Sequence, residues 1–497
     1  MNDTAREPRR ERAPSAARPH TSPVPDTDAS LWSPSRRSLT VGLVLTITLV
    51  AAESLAIAAA MPIVAKDLGG HELYGWVFSA FFLGSLVGIA VVGGLIDERG
   101  MAVPFVGGLV LFGAGLLVGG LAPSMPVLVV ARFVQGLGGG AVSPIAYVAI
   151  GRALPAALRP RMFATLSTAW MLPGVFGPAA AGFVAEAFHW RWVFLGLLPI
   201  LVVAGTIATR ALVAAEREHP TDTTSGVREA PAHRRRLFLA GGVALGGGLV
   251  TAGLQSSDPA LLVGLTGAGL VVTVLAFRPL TPAGTLTMRR GYPAAVLLRG
   301  LLTFSFFAID PYVTLLLVQV RGWSATFAGL ALTAATVLWT YGSWVQARRS
   351  AHTAPDVFVR VGFPIVGLGL AGILLALVPD FPALLAIPTF AFAAFGMGLA
   401  YSQFAIVVLR DAPTESQGSS SAALSLADAF GTALGAGVTN AVLAASLRGS
   451  PDIATGTANG LAIALGIAVV AAAAGFLLTP RLRRPGPDAP GAVPGVR

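Results

Sequence analysis

Long apolar runs alternate with short polar breaks along almost the whole chain. Fourteen runs come close to the ~20 residues that a helix needs to cross a bilayer. They cover about 39–64, 75–96, 102–122, 125–150, 162–187, 190–213, 237–254, 259–277, 293–320, 323–346, 357–378, 381–409, 417–447 and 456–480. The pattern predicts an all-α integral membrane protein of 14 spans. Segments 237–254 and 259–277 are Gly-rich and separated only by Gln255-Ser256-Ser257-Asp258. Residues 1–38 are rich in Arg, Pro, Ser and Ala without apolar periodicity, and predict a disordered tail rather than a signal peptide. Residues 482–497 predict a second, Pro/Gly-rich tail.

Arginine placement orients the spans. The first tail carries Arg6, Arg9, Arg10, Arg12, Arg18, Arg36 and Arg37. Alternate loops then hold Arg99, Arg152 to Arg161, Arg210 to Arg236, Arg278 to Arg290, Arg348 and Arg349, Arg410, and Arg481 to Arg484. The loops between hold little beyond Lys66, Arg191, Arg321 and Arg448. Cytoplasmic loops are the ones enriched in Lys and Arg, so both ends are expected in the cytoplasm. An even number of spans follows. A twelve-span arrangement, with 237–254 and 259–277 not crossing, keeps the same alternation. Six spans precede that pair and six follow it, which predicts two six-helix bundles with a two-helix insertion. The expected units are 1–38 (tail), 39–213 (first bundle), 214–236 (linker), 237–277 (inserted hairpin), 278–292 (linker), 293–481 (second bundle) and 482–497 (tail). Two halves with a site at their interface is a common transporter plan.

Composition narrows the function classes. The chain is 54% hydrophobic and 12% charged, against roughly 25% charged in soluble domains. It has no cysteine, which excludes disulfides, thiolate metal sites and cysteine nucleophiles. Its six histidines fall in predicted loops or tails, and no metal site or cofactor is expected. The net charge of +10 reads as a topology signal, with no nucleic-acid motif. No Gly-x-x-x-x-Gly-Lys-Ser/Thr loop is present, and the sole lysine, Lys66, lies near a membrane face. Neither ATP-driven transport by this chain alone nor enzyme chemistry is expected.

Four segments carry more than hydrophobicity. Gly93-Gly94-Leu95-Ile96-Asp97-Glu98-Arg99-Gly100 joins spans 2 and 3, and its Asp97/Arg99 pair could lock two helices in one state; the bland alternative is a charged, glycine-capped turn. In span 4, Arg132, Gln135 and Gly136 share one helix face. A charge at mid-membrane costs roughly 2.5–3.5 kcal/mol on insertion scales, so Arg132 calls for a partner. Span 5 carries Gly174, Gly177, Pro178 and Gly182, a bent face of small residues that suits sliding as well as plain packing. Span 6 opens on His189-Trp190-Arg191-Trp192-Val193-Phe194, which on physics alone reads as an interfacial aromatic belt.

Taken in order, these segments resemble the major facilitator superfamily, most nearly its branch of fourteen-span drug:proton antiporters. Residues 93–100 look like that superfamily's span 2–3 signature and Arg132…Gln135-Gly136 its span 4 signature. Gly174…Gly177-Pro178…Gly182 looks like its antiporter motif, and Trp190 to Pro199 like the start of span 6. The resemblance covers about 39–481 and implies the major facilitator fold. The sequence departs from the pattern at Glu98, where a basic residue is usual, and at Met101 and Ala102, which replace a basic pair. Leu55, Ala58 and Leu197 replace polar residues of the branch.

Glu53, Arg132, Arg299, Asp310 and Asp428 fall well inside predicted spans. At 1.5 Å per residue, Glu53, Arg132 and Asp310 come to similar depths. They are the expected proton-coupling set, Glu53 or Asp310 carrying the proton and Arg132 its counter-charge. Arg299 and Asp310 lie about three turns apart, too far to pair. Arg299 could snorkel to the surface, and Asp428 reads as a second proton site or a local cap. Trp170, Phe307, Tyr401 and Gln403 are candidate cavity residues, alongside the alternative of ordinary packing. The expected function is proton-coupled multidrug or secondary-metabolite efflux of small amphipathic compounds by an antiporter in the cell membrane, acting as a monomer. Rival readings are a metabolite uniporter or importer of the same fold, and a membrane sensor without transport.

Overall fold

A computed structural model of the chain describes residues 30–34, 36–155, 158–218, 224–350, 352–378, 380–411 and 417–483. For side chains it excludes 93–94, 97–98, 159–160, 163–164, 167, 224–234, 409, 417–419 and 421–422. The tail segments 1–29 and 484–497 and part of the 214–236 linker lie outside the described residues.

Among the described residues, fourteen helices are long and apolar enough to cross a membrane. They are α1 (Arg37–Leu68), α2 (His71–Val92), α3 (Ala102–Gly120), α4 (Met125–Ala153), α5 (Met171–His189), α6 (Arg191–Glu218) and α7 (Arg235–Gln255). Then come α8 (Pro259–Leu280), α9 (Tyr292–Val320), α10 (Ala325–Arg349), α11 (Pro355–Leu377), α12 (Ala383–Val408), α13 (Ala423–Arg448) and α14 (Ile453–Leu482). No strand occurs among the described residues. Helices are the form in which each span's backbone groups bond within the span, as hydrocarbon demands. The first residue of α1 and the last of α14 lie on one face, called here the terminal face. The other is the opposite face.

Local chemistry sets the helix ends. Asp258, Ser324 and Asp452 accept hydrogen bonds from Ala260 N, Phe327 N and Thr455 N at 2.8, 3.2 and 2.8 Å, capping α8, α10 and α14. The Thr455 backbone N–H holds the Asp452 carboxyl below the usual carboxylate range. Prolines set the breaks. Helix stops at Thr168 before Pro173, and at Phe307 before Pro311, because each ring removes a bond to the carbonyl four residues back. The second break puts Asp310 at the first residue of a short helix inside α9.

Two boundaries differ from the sequence reading. Leu31 is buried and its carbonyl accepts from Thr40 Oγ1 at 3.1 Å, so the residues just before α1 fold back on it. Within 214–236, α6 runs on to Glu218 and a helix begins at Thr224. The aromatic-belt reading also needs correction at Trp190. It is 1% exposed, and its Nε1 donates to Asp67 Oδ2 at 2.8 Å, while Arg191 bonds Asp67 and the Ala122 carbonyl. An indole N–H with a carboxylate to meet goes inward. Trp192 stays exposed, as a belt residue does.

The inserted α7–α8 hairpin lies over the line where α2 meets α13. A Cβ at Gly247 would stand 3.2 Å from both Leu83 of α2 and Phe430 of α13. Thr251 lies against Gly437 of α13, and Phe277 of α8 faces Phe430 with ring centroids 6.0 Å apart. Gly247→Phe is therefore expected to wedge these helices apart and cost about 1–3 kcal/mol. Thermal unfolding in detergent measures it. An unchanged melting temperature would show the hairpin unseated there.

Candidate functional site

Arg132 is buried at the centre of the first bundle, where three helices serve it. Its Nη1 donates to Glu53 Oε1 of α1 and, at 2.6 Å, to Gln135 Oε1 one turn on along α4. Its Nε donates to the Val77 carbonyl of α2 at 3.2 Å, and its guanidinium stands 4.3 Å from the Phe81 ring centroid. Gly136 makes this approach possible, because a Cβ there would fall 2.0 Å from the Phe81 carbonyl oxygen. Glu53 is 0% exposed, and its Oε2 has no hydrogen-bond partner among the described residues. Gln135 Nε2 is likewise buried without a partner.

Asp310 is outside this cluster. Its carboxylate has no hydrogen bond or ion pair among the described residues. Its level is fixed by Thr314 Oγ1, which donates to the Ala58 carbonyl at 2.6 Å. Since α1 and α9 run in the same direction, four residues back on each places Ser54 and Asp310 at one depth. Glu53 and Asp310 are thus level on facing halves, and Arg132 is bonded to Glu53.

A second charged cluster lies in the other half. Arg299 Nε donates to Asp428 Oδ1 at 2.9 Å, and Nη1 to the Tyr401 carbonyl at 2.5 Å. The Tyr401 hydroxyl donates to Asp428 Oδ2 at 2.9 Å. Arg299 is buried and does not snorkel, because an acid and a carbonyl from α13 and α12 meet it at its own depth. Asp428 is its ion-pair partner. A run of rings connects the clusters: Phe81, Phe82, Phe307, Trp339 and Tyr401, with successive centroids 5.6, 6.4, 6.3 and 5.3 Å apart. The step from Phe82 to Phe307 crosses from one half to the other.

The remaining candidates divide. Phe307 and Tyr401 belong to that ring chain. Trp170 is 46% exposed at the α5 break. Gln403 is buried, three residues after Ala400, which meets Gly362 of α11, so it lies on the α11 side of α12. Gly174, Pro178 and Gly182 pack on Thr336, Gly329 and Thr326 of α10, whereas Gly177 meets only Pro173 of its own helix. The helix of α2 continues as far as Arg99, so the segment expected to join spans 2 and 3 is helical up to Gly100; the side chain of Asp97 lies outside the described residues, and Arg99 is exposed. Gly100 turns with φ +77°, which favours glycine. The start of α3 is held by Glu216 of α6, whose Oε1 accepts from Met101 N and, at 3.0 Å, from Ala102 N.

Hydrogen bonds that the sequence did not announce join the halves near the opposite face. Asn440 of α13 accepts from Gly75 N at 2.6 Å and donates to the Glu72 carbonyl at 2.7 Å. Ser79 donates to the Ala433 carbonyl at 3.1 Å, Tyr74 to the Pro311 carbonyl at 3.1 Å, and Thr333 to the Val175 carbonyl at 3.1 Å. Glu186 of α5 accepts from Ala325 N and from the Thr326 hydroxyl at the start of α10. A polar residue in an otherwise small-residue span was the one available signal for Asn440.

A sequence model described as Major Facilitator Superfamily matches residues 43–436. The chain belongs to this superfamily. It is 30% identical over 187 residues to the multidrug transporter protein MdtP of Bacillus subtilis, covering 37% of the chain and 35% of that protein. It is 31% identical over 166 residues to multidrug resistance protein 3 of the same organism, covering 33% of the chain and 32% of that protein. Each match thus spans about a third of the relative's length. The crystal structure of a D-xylose-proton symporter aligns with TM-score 0.62 at 14% identity, covering 90% of this chain and 98% of that one. At that identity the likeness speaks for the fold alone. The chain is a multi-pass membrane protein with two six-helix bundles and an inserted helix pair, with 14 candidate spans among the described residues.

Proposed function

We propose that the chain exports small amphipathic compounds in exchange for protons, by alternating access between two halves at about 39–213 and 293–481. In this reading it works as a monomer in the cell membrane with the terminal face in the cytoplasm, where the arginine-rich loops would lie. The observation that carries the reading is the buried Glu53–Arg132 pair with one carboxylate oxygen free. Charges this deep are costly and mark ion or proton pathways. An acid couples transport when its proton is bound in one state and released in the other, and a cation that approaches or withdraws can switch it. Arg132 is such a cation, and Asp310, level with Glu53 and without a partner, is the acid it could meet when the halves move. The multidrug relatives support the amphipathic substrate class, and the ring chain from Phe81 to Tyr401 offers flat apolar surfaces to it.

Proton flux driven by substrate in sealed vesicles tests this. Glu53→Gln is expected to abolish coupling while leaving downhill substrate movement. Full coupling in Glu53→Gln, in Asp310→Asn and in the double variant would overturn the proposal. Downhill, protonophore-insensitive flux in the unaltered chain would instead fit a uniporter, and no flux a sensor.

A further inference from the structure

Glu53 Oε2 and Gln135 Nε2 are two orphans that complement each other. One is an acceptor without a donor and the other a donor without an acceptor, both buried. The partner atoms of the same two groups, Glu53 Oε1 and Gln135 Oε1, converge on a single nitrogen, Arg132 Nη1. Both orphan atoms therefore belong to groups bonded at one guanidinium nitrogen. A turn of the carboxylate or of the amide plane is the motion that would bring Nε2–H to Oε2. The Gln135 backbone has no such freedom. On the α3 side, a Cβ at Gly115 would fall 2.5 Å from the Gln135 Cβ, so α3 presses directly on that residue. What remains free is the amide plane.

We infer that Gln135 is a positioning residue that reads whether Glu53 carries its proton. This rests on Glu53 being the proton carrier. Ionised, Oε2 accepts the amide N–H, and Gln135 spans Arg132 and Glu53 as acceptor to one and donor to the other. With a proton on Oε2, two donors face each other and the amide turns away. Arg132 then loses its charged partner but keeps the Gln135 and Val77 oxygens, which hold it on the α2–α4 side and away from Asp310. The amide thus favours the ionised acid and restrains the arginine once that acid is neutral.

Few other groups compete for this role. On α1, the Ser54 hydroxyl donates to the Val50 carbonyl at 3.0 Å and is also within reach of the Glu53 carboxyl, so it is the one other neutral donor at the site among the described residues. From α2 come the Val77 carbonyl and the Phe81 ring, and from α9 the level Asp310. The titratable side chains of α5 and α6 lie toward the helix ends, at 186–191 and 210–218. Arg132 is the one cation bonded to Glu53 among the described residues.

The test is the pH dependence of export from vesicles by Gln135→Glu and Gln135→Leu. Losing a donor to the anionic acid makes its proton harder to remove, so the pH of half-maximal export rises. Glutamate also adds like charge, so its shift is the larger, on the order of one pH unit, with leucine between it and the unaltered chain. Counterflow exchange at fixed pH reports folding and substrate binding separately. Variants that exchange substrate but keep the unaltered pH midpoint, or move it down, overturn the inference. Glu53→Gln separates this from failure of the underlying reading. A pH response that survives Glu53→Gln removes the proton carrier itself. One that vanishes there yet ignores Gln135 removes only the reader.

Discussion

Arg132→Ala is expected to abolish proton-driven export and to destabilise the chain by roughly 3–5 kcal/mol, the range for breaking one side of a buried ion pair. The cost is the state of what is left behind, more than the attraction lost. Glu53 is fully buried and would retain no cation, and the Gln135 and Val77 oxygens would lose their donor. The Phe81 ring would also face a gap where the guanidinium stood. Removing both charges tells these terms apart. Arg132→Met with Glu53→Leu replaces the pair by apolar side chains, and such replacements are often neutral or stabilising. The double variant should therefore recover most of the lost stability while exporting nothing against a gradient. Thermal unfolding in detergent and vesicle export, measured on the same preparations, give both numbers. A single variant as stable as the unaltered chain, or a double variant no better than the single, would contradict this account.

How much of this could be read from the chain depends on the range of each interaction. The fourteen helices were legible because hydrocarbon imposes one rule on every span, and that rule needs only local composition. The common depth of Glu53, Arg132 and Asp310 was legible too, since rise per residue converts sequence position into height. Height does not fix azimuth. Nothing in the count decides that Arg132 turns to Glu53 rather than Asp310; that follows from how α1, α2 and α4 pack through Gly136. The pairing of Arg299 with Asp428 was hidden for the same reason. Each looked like an isolated charge, although residues 129 apart with Tyr401 between them satisfy one another. Trp190 misled in the opposite direction. Its place near a helix end suited a belt, and only Asp67 at the end of α1 draws it inward.

The two clusters are also not equivalent. In the first half, Arg132 faces an acid with one oxygen unused. In the second, the Asp428 oxygens are both engaged, by Arg299 and by the Tyr401 hydroxyl. A site that must gain and lose a proton needs a free acceptor, and one that holds three helices together does not. That asymmetry favours the Glu53 side for coupling and the Arg299 side for cohesion of α9, α12 and α13.

Asn440→Leu is expected to unlatch the opposite face. Asn440 satisfies two backbone groups of α2 at once, the Gly75 N–H and the Glu72 carbonyl. Leucine keeps the branched outline of the side chain and leaves both unpaired while the halves are closed. A buried polar group without a partner costs about 1–3 kcal/mol, so the closed arrangement loses roughly 2–6 kcal/mol. The open arrangement loses little, because there water reaches the same groups. Each 1.4 kcal/mol is about a tenfold change in the ratio of states, so the face should open at least tenfold more often. The cysteine-free chain makes this measurable. Ser79→Cys places a near-isosteric thiol on α2, at a position fully buried against α13 when that face is closed. Adding Asn440→Leu should raise its reaction with a membrane-impermeant maleimide, applied from the opposite face, at least about tenfold. Export should slow, since each cycle must return through the closed arrangement. An unchanged labelling rate would mean that Tyr74, Thr333 and Glu186 hold the face shut by themselves, and that Asn440 only fills space between α2 and α13.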